Sequence, residues 1–235
     1  MEAQVLFMGD GALVVRFEEE ISPQVNDKVR ALAFLLEGNP IEGVVELVPT
    51  YRSLMICFDP LKVHPQELSS AVRRLLGSLG SAKVPPPRVV EIPTLYGGKV
   101  GPDLPFVASH AGLSPEEVIS LHSGTLYRVY MLGFAPGFSY LGGLDPRIHA
   151  PRLKTPRVRV PAGSVGIGGA QTGIYAVESP GGWRIIGRTP LKIYDPSREE
   201  PVLVRAGDLL RFVPISEEEF LRLGGSLEPS VEGVE

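Results

Sequence analysis

Between Tyr130 and Pro196 the chain reads YMLGFAPGFSYLGGLDPRIHAPRLKTPRVRVPAGSVGIGGAQTGIYAVESPGGWRIIGRTPLKIYDP. Glycine and proline interrupt it every few residues. Proline removes a backbone donor and clashes with the preceding helical turn, so no long helix can propagate, and the backbone must run through turns, bulges and short strands. The 27 glycines and 23 prolines of the whole chain favour a turn-rich, β-heavy fold for the same reason. Tyr140, His149, Arg152, Lys154, Arg157, Arg159, Gln171, Thr172 and Arg188 stand between the breaks. Polar side chains on loops between scaffold strands are where binding sites concentrate, which makes this stretch the candidate site.

A length of 235 residues suits one large or two small domains, and two is the preferred reading. A hydrophobic share of 43% with 21% charged residues is that of a globular protein and excludes disorder or fibre. A net charge of −4 supplies no global field for nucleic acid, so anion binding must come from a local cluster. The start MEAQVLFMGDGALVVRFEEE lacks a basic segment followed by a long apolar run, and no stretch approaches the roughly 18 apolar residues of a membrane span. A cytoplasmic protein without membrane association is expected. Cys57 is the single cysteine and cannot form an internal disulfide, in keeping with a reducing compartment; within SLMICF it reads as a buried small hydrophobe. His64, His110, His122 and His149 are scattered without CxxC or HExxH spacing, so no metal site is expected.

In chain order, two short apolar runs around Gly9-Asp10-Gly11 read as a β-hairpin. Ser22 and Pro23 then start a helix carrying Val25, Val29, Leu32 and Leu36 at helical spacing up to Gly38. Strands are expected at about 42 to 48 and 53 to 58, and a second helix from Pro65 to Leu79. This ββαββα order predicts an α+β domain over residues 1 to 84, with helices on one face of an antiparallel sheet. Pro85-Pro86-Pro87 marks the linker. A mainly-β domain is expected over 88 to 223, opening with a strand at Val89 to Leu95. Two short helices follow near 102 to 111 and 115 to 122, the second announced by the Ser114–Glu117 capping box. Thr172 to Glu178 and Trp183 to Thr189 flank Ser179-Pro-Gly-Gly and read as a hairpin with a type II turn. Further strands at Lys192 to Tyr194, Val202 to Val204 and Leu209 to Val213 suggest a closed or nearly closed antiparallel barrel. Ser216 to Leu223 reads as a last helix, followed by a mobile tail over 224 to 235.

Arg147, Arg152, Lys154, Arg157 and Arg159 form the local basic cluster, with His149 among them. In PRVRV, strand alternation puts Arg157 and Arg159 on one face and Val158 and Val160 on the other. Two such guanidiniums can clamp a carboxylate or phosphate, or pair with nearby acids on an outer face. His149 can serve as general acid or base, since its ordinary pKa is near 6.5, or can be structural. His110 and His122 lie near helix ends, where C-terminal carbonyls account for them, and His64 suits a helix start. The run from Gly163 to Gly173 has neither GxxxxGK[ST] nor an intact GxGxxG, and Ser164 lacks the G-x-S-x-G elbow, which argues against a nucleotide loop and a serine hydrolase; its backbone amides could still form an anion nest, or its glycines serve tight barrel turns. Gln171 and Thr172 could orient an amide edge or satisfy barrel backbone. Phe134, Phe138 and Tyr140 could floor a pocket or fill the core.

Taken together, VYMLGFAPGFSYLGGLDPRIHAPRLKTPRVRVPAGSVGIGGAQTGIY and SPGGWRIIGRTP closely resemble the family of bacterial 5-oxoprolinase B subunits, which includes the kinase inhibitor KipI and was formerly labelled allophanate hydrolase subunit 1. The resemblance implies a cyclophilin-like β-barrel as the second domain. It also implies partners, a C subunit of the KipA type and an A subunit, that together with the B subunit open 5-oxoproline to glutamate using ATP. No nucleotide loop in this chain would bind that ATP. A KipI-like inhibitor of a histidine kinase is the alternative, and a component of an allophanate or urea-derived amide hydrolase ranks third. Gly137, Phe138, His149, Arg152, Thr155, Arg157, Gln171, Thr172 and Arg188 match the family's barrel motifs. They suggest Arg152, Arg157 and Arg188 for an anionic group, Gln171 and Thr172 for orientation, His149 for proton transfer, and Gly137, Phe138, Tyr140 and Thr155 as pocket lining. One departure is Gly168-Gly169, where Ala-Gly is expected in relatives and a loosened turn would follow.

Overall fold

A computed structural model describes residues 3 to 229. The chain divides into two compact units, Met1–Pro86 and Pro87–Glu235. In the first, β1 (Gln4–Phe7) and β2 (Ala12–Arg16) form an antiparallel hairpin around Gly9, whose φ of 63° suits glycine. Helix α1 (Pro23–Gly38) starts where the Ser22 side chain accepts from the Val25 amide and Pro23 sits in the first turn. After β3 (Val44–Pro49) and β4 (Ser53–Phe58), α2 (Pro65–Leu76) completes the unit. The four strands run in the order β1-β2-β4-β3, all antiparallel. Leu13, Val15, Leu54 and Ile56 of the sheet pack against Val29, Leu32, Leu68 and Val72 of the helices. Period-2 alternation turns Leu54, Ile56 and Phe58 inward, which leaves Cys57 on the opposite face and only half-buried. Helix α2 stops three residues short of Leu79, which instead begins a 3₁₀ turn over Leu79–Ser81.

The second unit opens with β5 (Val89–Tyr96), followed by α3 (Leu104–Ala111) and α4 (Pro115–Ser123). The capping box at α4 is complete: the Glu117 amide donates to Ser114 Oγ at 3.2 Å, and the Ser114 amide to Glu117 Oε2 at 2.7 Å. Eight strands follow: β6 (Leu126–Leu132), β7 (Ser139–Gly142), β8 (Arg157–Val160), β9 (Ser164–Gly168), β10 (Gln171–Ile174), β11 (Ser179–Gly181), β12 (Arg184–Arg188) and β13 (Leu209–Pro214). Helix α5 (Glu217–Arg222) ends the unit's regular elements, with the Ser216 side chain accepting from the Glu219 amide.

Seven strands close into a barrel in the order β10-β7-β6-β13-β5-β12-β9. It is mixed, not antiparallel as expected, because β13 pairs with β5 in parallel, from Leu209↔Val89 to Pro214↔Thr94. Local pattern cannot reveal that pairing, which joins strands more than a hundred residues apart. The Ser179-Pro-Gly-Gly turn is also overturned: Ser179–Gly181 is itself a strand, β11, paired with β8, and β12 pairs with β5 and β9, not β10. Gly181 is there for another reason, since a Cβ on it would run into the Tyr175 ring. Lys192 to Tyr194 and Val202 to Val204 contribute a single bridge, Tyr194↔Val202, in place of two strands. The core is formed by Ile92, Tyr127, Val129, Leu141, Ile167, Ile186, Leu210 and Phe212, with a second cluster of Phe138, Val160, Tyr175, Trp183 and Ile185. No helix among the described residues is long and apolar enough to cross a membrane.

Gly168 does not loosen a turn. It is the last residue of β9, and a Cβ there would overlap the indole of Trp183, the chain's single tryptophan. Gly168→Ala is therefore expected to cost about 1–3 kcal/mol through overpacking and to shift the emission of Trp183. Thermal unfolding followed by tryptophan fluorescence checks both, and an unchanged midpoint with unchanged emission would refute the close packing.

Candidate functional site

A cleft of about 530 Å³ opens in the second unit, walled by Ala176, Glu178, Arg188, Thr189, Tyr194 and Ser226 among others. Four stretches build it: the turn between β8 and β9, the chain leaving β10, the end of β12 with the loop beyond, and the segment after α5. Arg188 is the last residue of β12 and only 3% exposed. Its Nη1 donates to the carbonyl oxygens of Ser226 at 2.9 Å and Glu228 at 2.6 Å. Nε and Nη2 are buried and have no hydrogen-bond partner among the described residues. Burial lowers the guanidinium's pKa from its ordinary value, with the Glu228 charge opposing the shift, but an arginine stays protonated at neutral pH. The start of the tail, expected to be mobile, thus carries the two carbonyls that hold Arg188; residues 230 to 235 of it lie outside the described residues.

The two arginines read as one clamp are each taken by separate acids. Arg157 is 3% exposed and donates through Nη1 and Nη2 to Asp103 Oδ2 and Oδ1 at 2.9 and 3.1 Å. Asp103 Oδ2 also accepts from the Ile185 amide at 2.6 Å, and the Asp103 amide donates to the Ile185 carbonyl. The pair therefore fastens the start of α3 to β8 and β12. Arg159 is half-buried and pairs with Glu178 at 2.8 Å and Glu228 at 2.6 Å. The β8–β11 register shifts between Ser179 and Gly181, and Val158 is exposed while Val160 is buried, so simple alternation does not survive along this strand.

Thr172 is fully buried and its hydroxyl donates to the Gly166 carbonyl at 3.0 Å. That spends its one proton, so His122 Nε2, 2.8 Å away, must be the donor to Thr172 Oγ1. His122 Nδ1 is then the acceptor for the Tyr96 hydroxyl at 2.7 Å. Burial holds the His122 pKa down at about 3, and it pushes the Tyr96 pKa well above its ordinary value. His122 is therefore a neutral core group, not a residue explained by helix-end carbonyls. Its place four residues after Val118, which shares the buried face of α4, is the spacing that marks it as core.

The other expected site residues are dispersed. His149 ends the 3₁₀ turn Pro146–Ile148, with Nε2 3.3 Å from the Leu144 carbonyl. Arg147 is taken by Asp145. Arg152 is exposed, its guanidinium 5.7 Å from the Trp183 ring centroid, and Thr155 is also exposed. Phe138 is core, meeting Tyr140 edge-on at 5.2 Å, and Gln171 is half-buried in β10. Gly137, at φ 76°, backs the cleft: a Cβ on it would press on Ala176 and Tyr194. Of the expected residues, Arg188 alone lines the cleft. No local signal marks Asp103 or the carbonyls of Ser226 and Glu228, because their partners are remote in the chain.

Residues 3–204 match the family model described as carboxyltransferase domain, subdomain C and D. The chain is 47% identical over 227 residues to the 5-oxoprolinase B subunit of Bacillus subtilis, an alignment covering 92% of this chain and 95% of that protein. It is 53% identical over 206 residues to the Haemophilus influenzae protein of the same name, covering 88% and 95%. The crystal structure of TTHA0988 superposes with a TM-score of 0.78 at 43% identity, covering 87% of this chain but only 40% of that longer one.

Removing the Arg157 side chain takes both guanidinium hydrogen bonds from the buried Asp103 carboxylate and leaves it the Ile185 amide and the more distant Arg184, 3.7 Å away. Arg157→Ala is expected to cost about 3–5 kcal/mol of unfolding free energy. An equilibrium urea titration reads this, and a loss below about 1 kcal/mol would return Arg157 to the ligand-clamp reading. For His122, the folded pKa of about 3 lies below the ordinary 6.5, so the unfolded chain binds a proton that the folded chain refuses as pH falls through this window. Stability is present above pH 6.5 and declines below it by about 1.4 kcal/mol per pH unit. The slope between pH 6.5 and 4 is expected to flatten in His122→Gln; identical slopes would contradict the buried neutral assignment.

Proposed function

The chain belongs to the family of the carboxyltransferase domain, subdomains C and D, and from that membership we propose that it serves as the B subunit of a 5-oxoprolinase, a hydrolase of an amide bond. The observation that carries this is the 47% identity running through nearly the full length of both this chain and the B. subtilis protein. We take ATP to be the co-substrate and the A and C subunits to be the partners, with the complex in the cytoplasm where ATP is supplied. The barrel is read as cyclophilin-like, and the two compact units as separate domains.

Opening a lactam requires an activated carbonyl, a nucleophile delivered to it and a proton for the departing nitrogen. The cleft offers the buried Arg188 guanidinium, Lys192 and three carboxylates already in ion pairs, Glu178 and Glu228 with Arg159 and Asp195 with Lys192 and Arg198. Among the described residues there is no cluster of His, Cys, Asp and Glu able to hold a metal ion. His149 turns to a backbone carbonyl and does not line the cleft. A chain so equipped can bind and orient an anion, while phosphoryl transfer and water attack need groups from elsewhere. We therefore read it as inactive alone. TTHA0988 supports a composite design, since the part matched here is under half of that polypeptide.

Mixing the purified chain with its A and C partners is expected to give coupled consumption of ATP and 5-oxoproline, with none from the chain by itself. A complete mixture of folded components that turns over neither compound would rule the assignment out.

A further inference from the structure

Arginine's Nε and Nη2 form the side-on edge that meets both oxygens of one carboxylate. Two arginines among the described residues use that edge on carboxylates of this chain. Arg88 donates from Nε at 3.2 Å and Nη2 at 2.6 Å to Asp208, and Arg147 from Nε at 3.0 Å and Nη2 at 2.7 Å to Asp145. At Arg188 the same two atoms have no partner among the described residues, in a side chain 3% exposed on the wall of the cleft. The nearby Glu228 carboxylate does not fill the gap, because Arg159 holds it at 2.6 Å. Leaving charged donors buried and unmatched is costly, so an occupant that supplies two acceptor oxygens is the simplest account of the site.

A second orphan lies on the neighbouring strand. Ser164 is directly opposite Arg188 in the β9–β12 register, and residues directly opposite on antiparallel strands share a face. Its Oγ is also buried with no partner among the described residues. Meanwhile the carbonyls of Ser226 and Glu228 hold Nη1 and so fix the rotation of the guanidinium.

We propose that the Nε–Nη2 edge of Arg188, with Ser164 opposite it in the strand register, is a subsite for the carboxylate of a small molecule, and that the segment Gly224–Glu228 is a strap that shifts to admit it. The strap follows from burial: the two donor atoms are sealed from solvent, so entry requires the wall to open. The segment supplying Ser226 and Glu228 is bonded to Arg188 and Arg159 and is the wall that ligand binding would rearrange. Resting on the function proposed above, the natural occupant is the carboxylate of 5-oxoproline, which leaves the lactam ring in the cleft for groups of the partner chains to attack.

Isothermal titration of the full chain with 5-oxoproline, glutamate, acetate and inorganic phosphate at fixed ionic strength tests the subsite. Wild type is expected to bind 5-oxoproline saturably, and Arg188→Lys, which keeps the charge and loses the fork, to bind at least about tenfold more weakly. Arg188→Met should abolish binding; because it also releases the Ser226 and Glu228 carbonyls, its thermal midpoint is recorded beside that of Arg188→Lys to show that both chains are folded. Ser164→Ala should weaken binding several-fold. Glutamate or acetate bound in an Arg188-dependent way without 5-oxoproline would support the carboxylate subsite and sink the substrate assignment. No carboxylate bound by wild type, undiminished binding in a folded Arg188→Lys chain, or phosphate preferred over every carboxylate would overturn the subsite itself.

Discussion

Parallel pairing of β5 with β13 is the constraint on which the second unit depends. The first and last strands of the barrel meet there, in register from Leu209↔Val89 to Pro214↔Thr94, and with five strands from between them they make one closed sheet, while β8 and β11 pair separately. The pairing is set at its beginning by Arg88, whose guanidinium grips Asp208 while its carbonyl accepts from the Leu209 amide. Closing so long a loop costs entropy that only a complete ring of strand pairs offsets, which also removes exposed edges from seven strands at once. The cleft inherits its position from this closure, since β12 is neighbour to β5 and carries Arg188 at its end.

Inside that frame, buried polar groups fall into two kinds. Asp103 and Arg157 answer each other with two hydrogen bonds, and His122 sits between Tyr96 and Thr172 with every proton accounted for. These groups fix helices α3 and α4 against the barrel and have no capacity left for a ligand. Arg188 and Ser164 are the opposite kind, adjacent in register and each with unmatched atoms. A fold that satisfies its other buried ion pair so fully does not leave a cation half-matched for packing reasons, since an apolar residue would serve packing better.

How far the sequence could be read follows the range of the interactions. Elements specified within a few residues were legible: the Gly9–Gly11 hairpin, the helix behind Ser22, the Ser114–Glu117 capping box and the Ser216 cap. Elements specified by distant partners were not. Ser179-Pro-Gly-Gly has turn chemistry, yet β8 recruits it as a strand and Tyr175 packs over Gly181. Arg157 and Arg159 have the spacing of a clamp, yet Asp103 lies more than fifty residues away in the chain and takes Arg157 out of play. His122 has the position of a helix-end residue, but the partner that defines it, Thr172, is fifty residues on. Arg188 is singled out by its place in the family's motif, while the burial that makes it informative is invisible in the string of residues.

The distribution of charge explains why a chain of this kind would need partners. Catalysis on a lactam has to stabilise negative charge developing on the carbonyl oxygen and deliver a proton to nitrogen, and both tasks call for groups whose protonation can change or whose donors are free. In this unit the buried histidine is locked neutral, the Arg157 carboxylate partner is locked in an ion pair, and of the acids on the cleft wall Glu178 and Glu228 are paired with Arg159 and Asp195 with Lys192 and Arg198. The buried donors left without a partner belong to Arg188, a permanent cation that can anchor an anion but cannot shuttle a proton at neutral pH. On the proposed reading Arg188 supplies an anchor without a proton carrier, which is half of a catalytic site, the half that fixes where the substrate's reacting end projects.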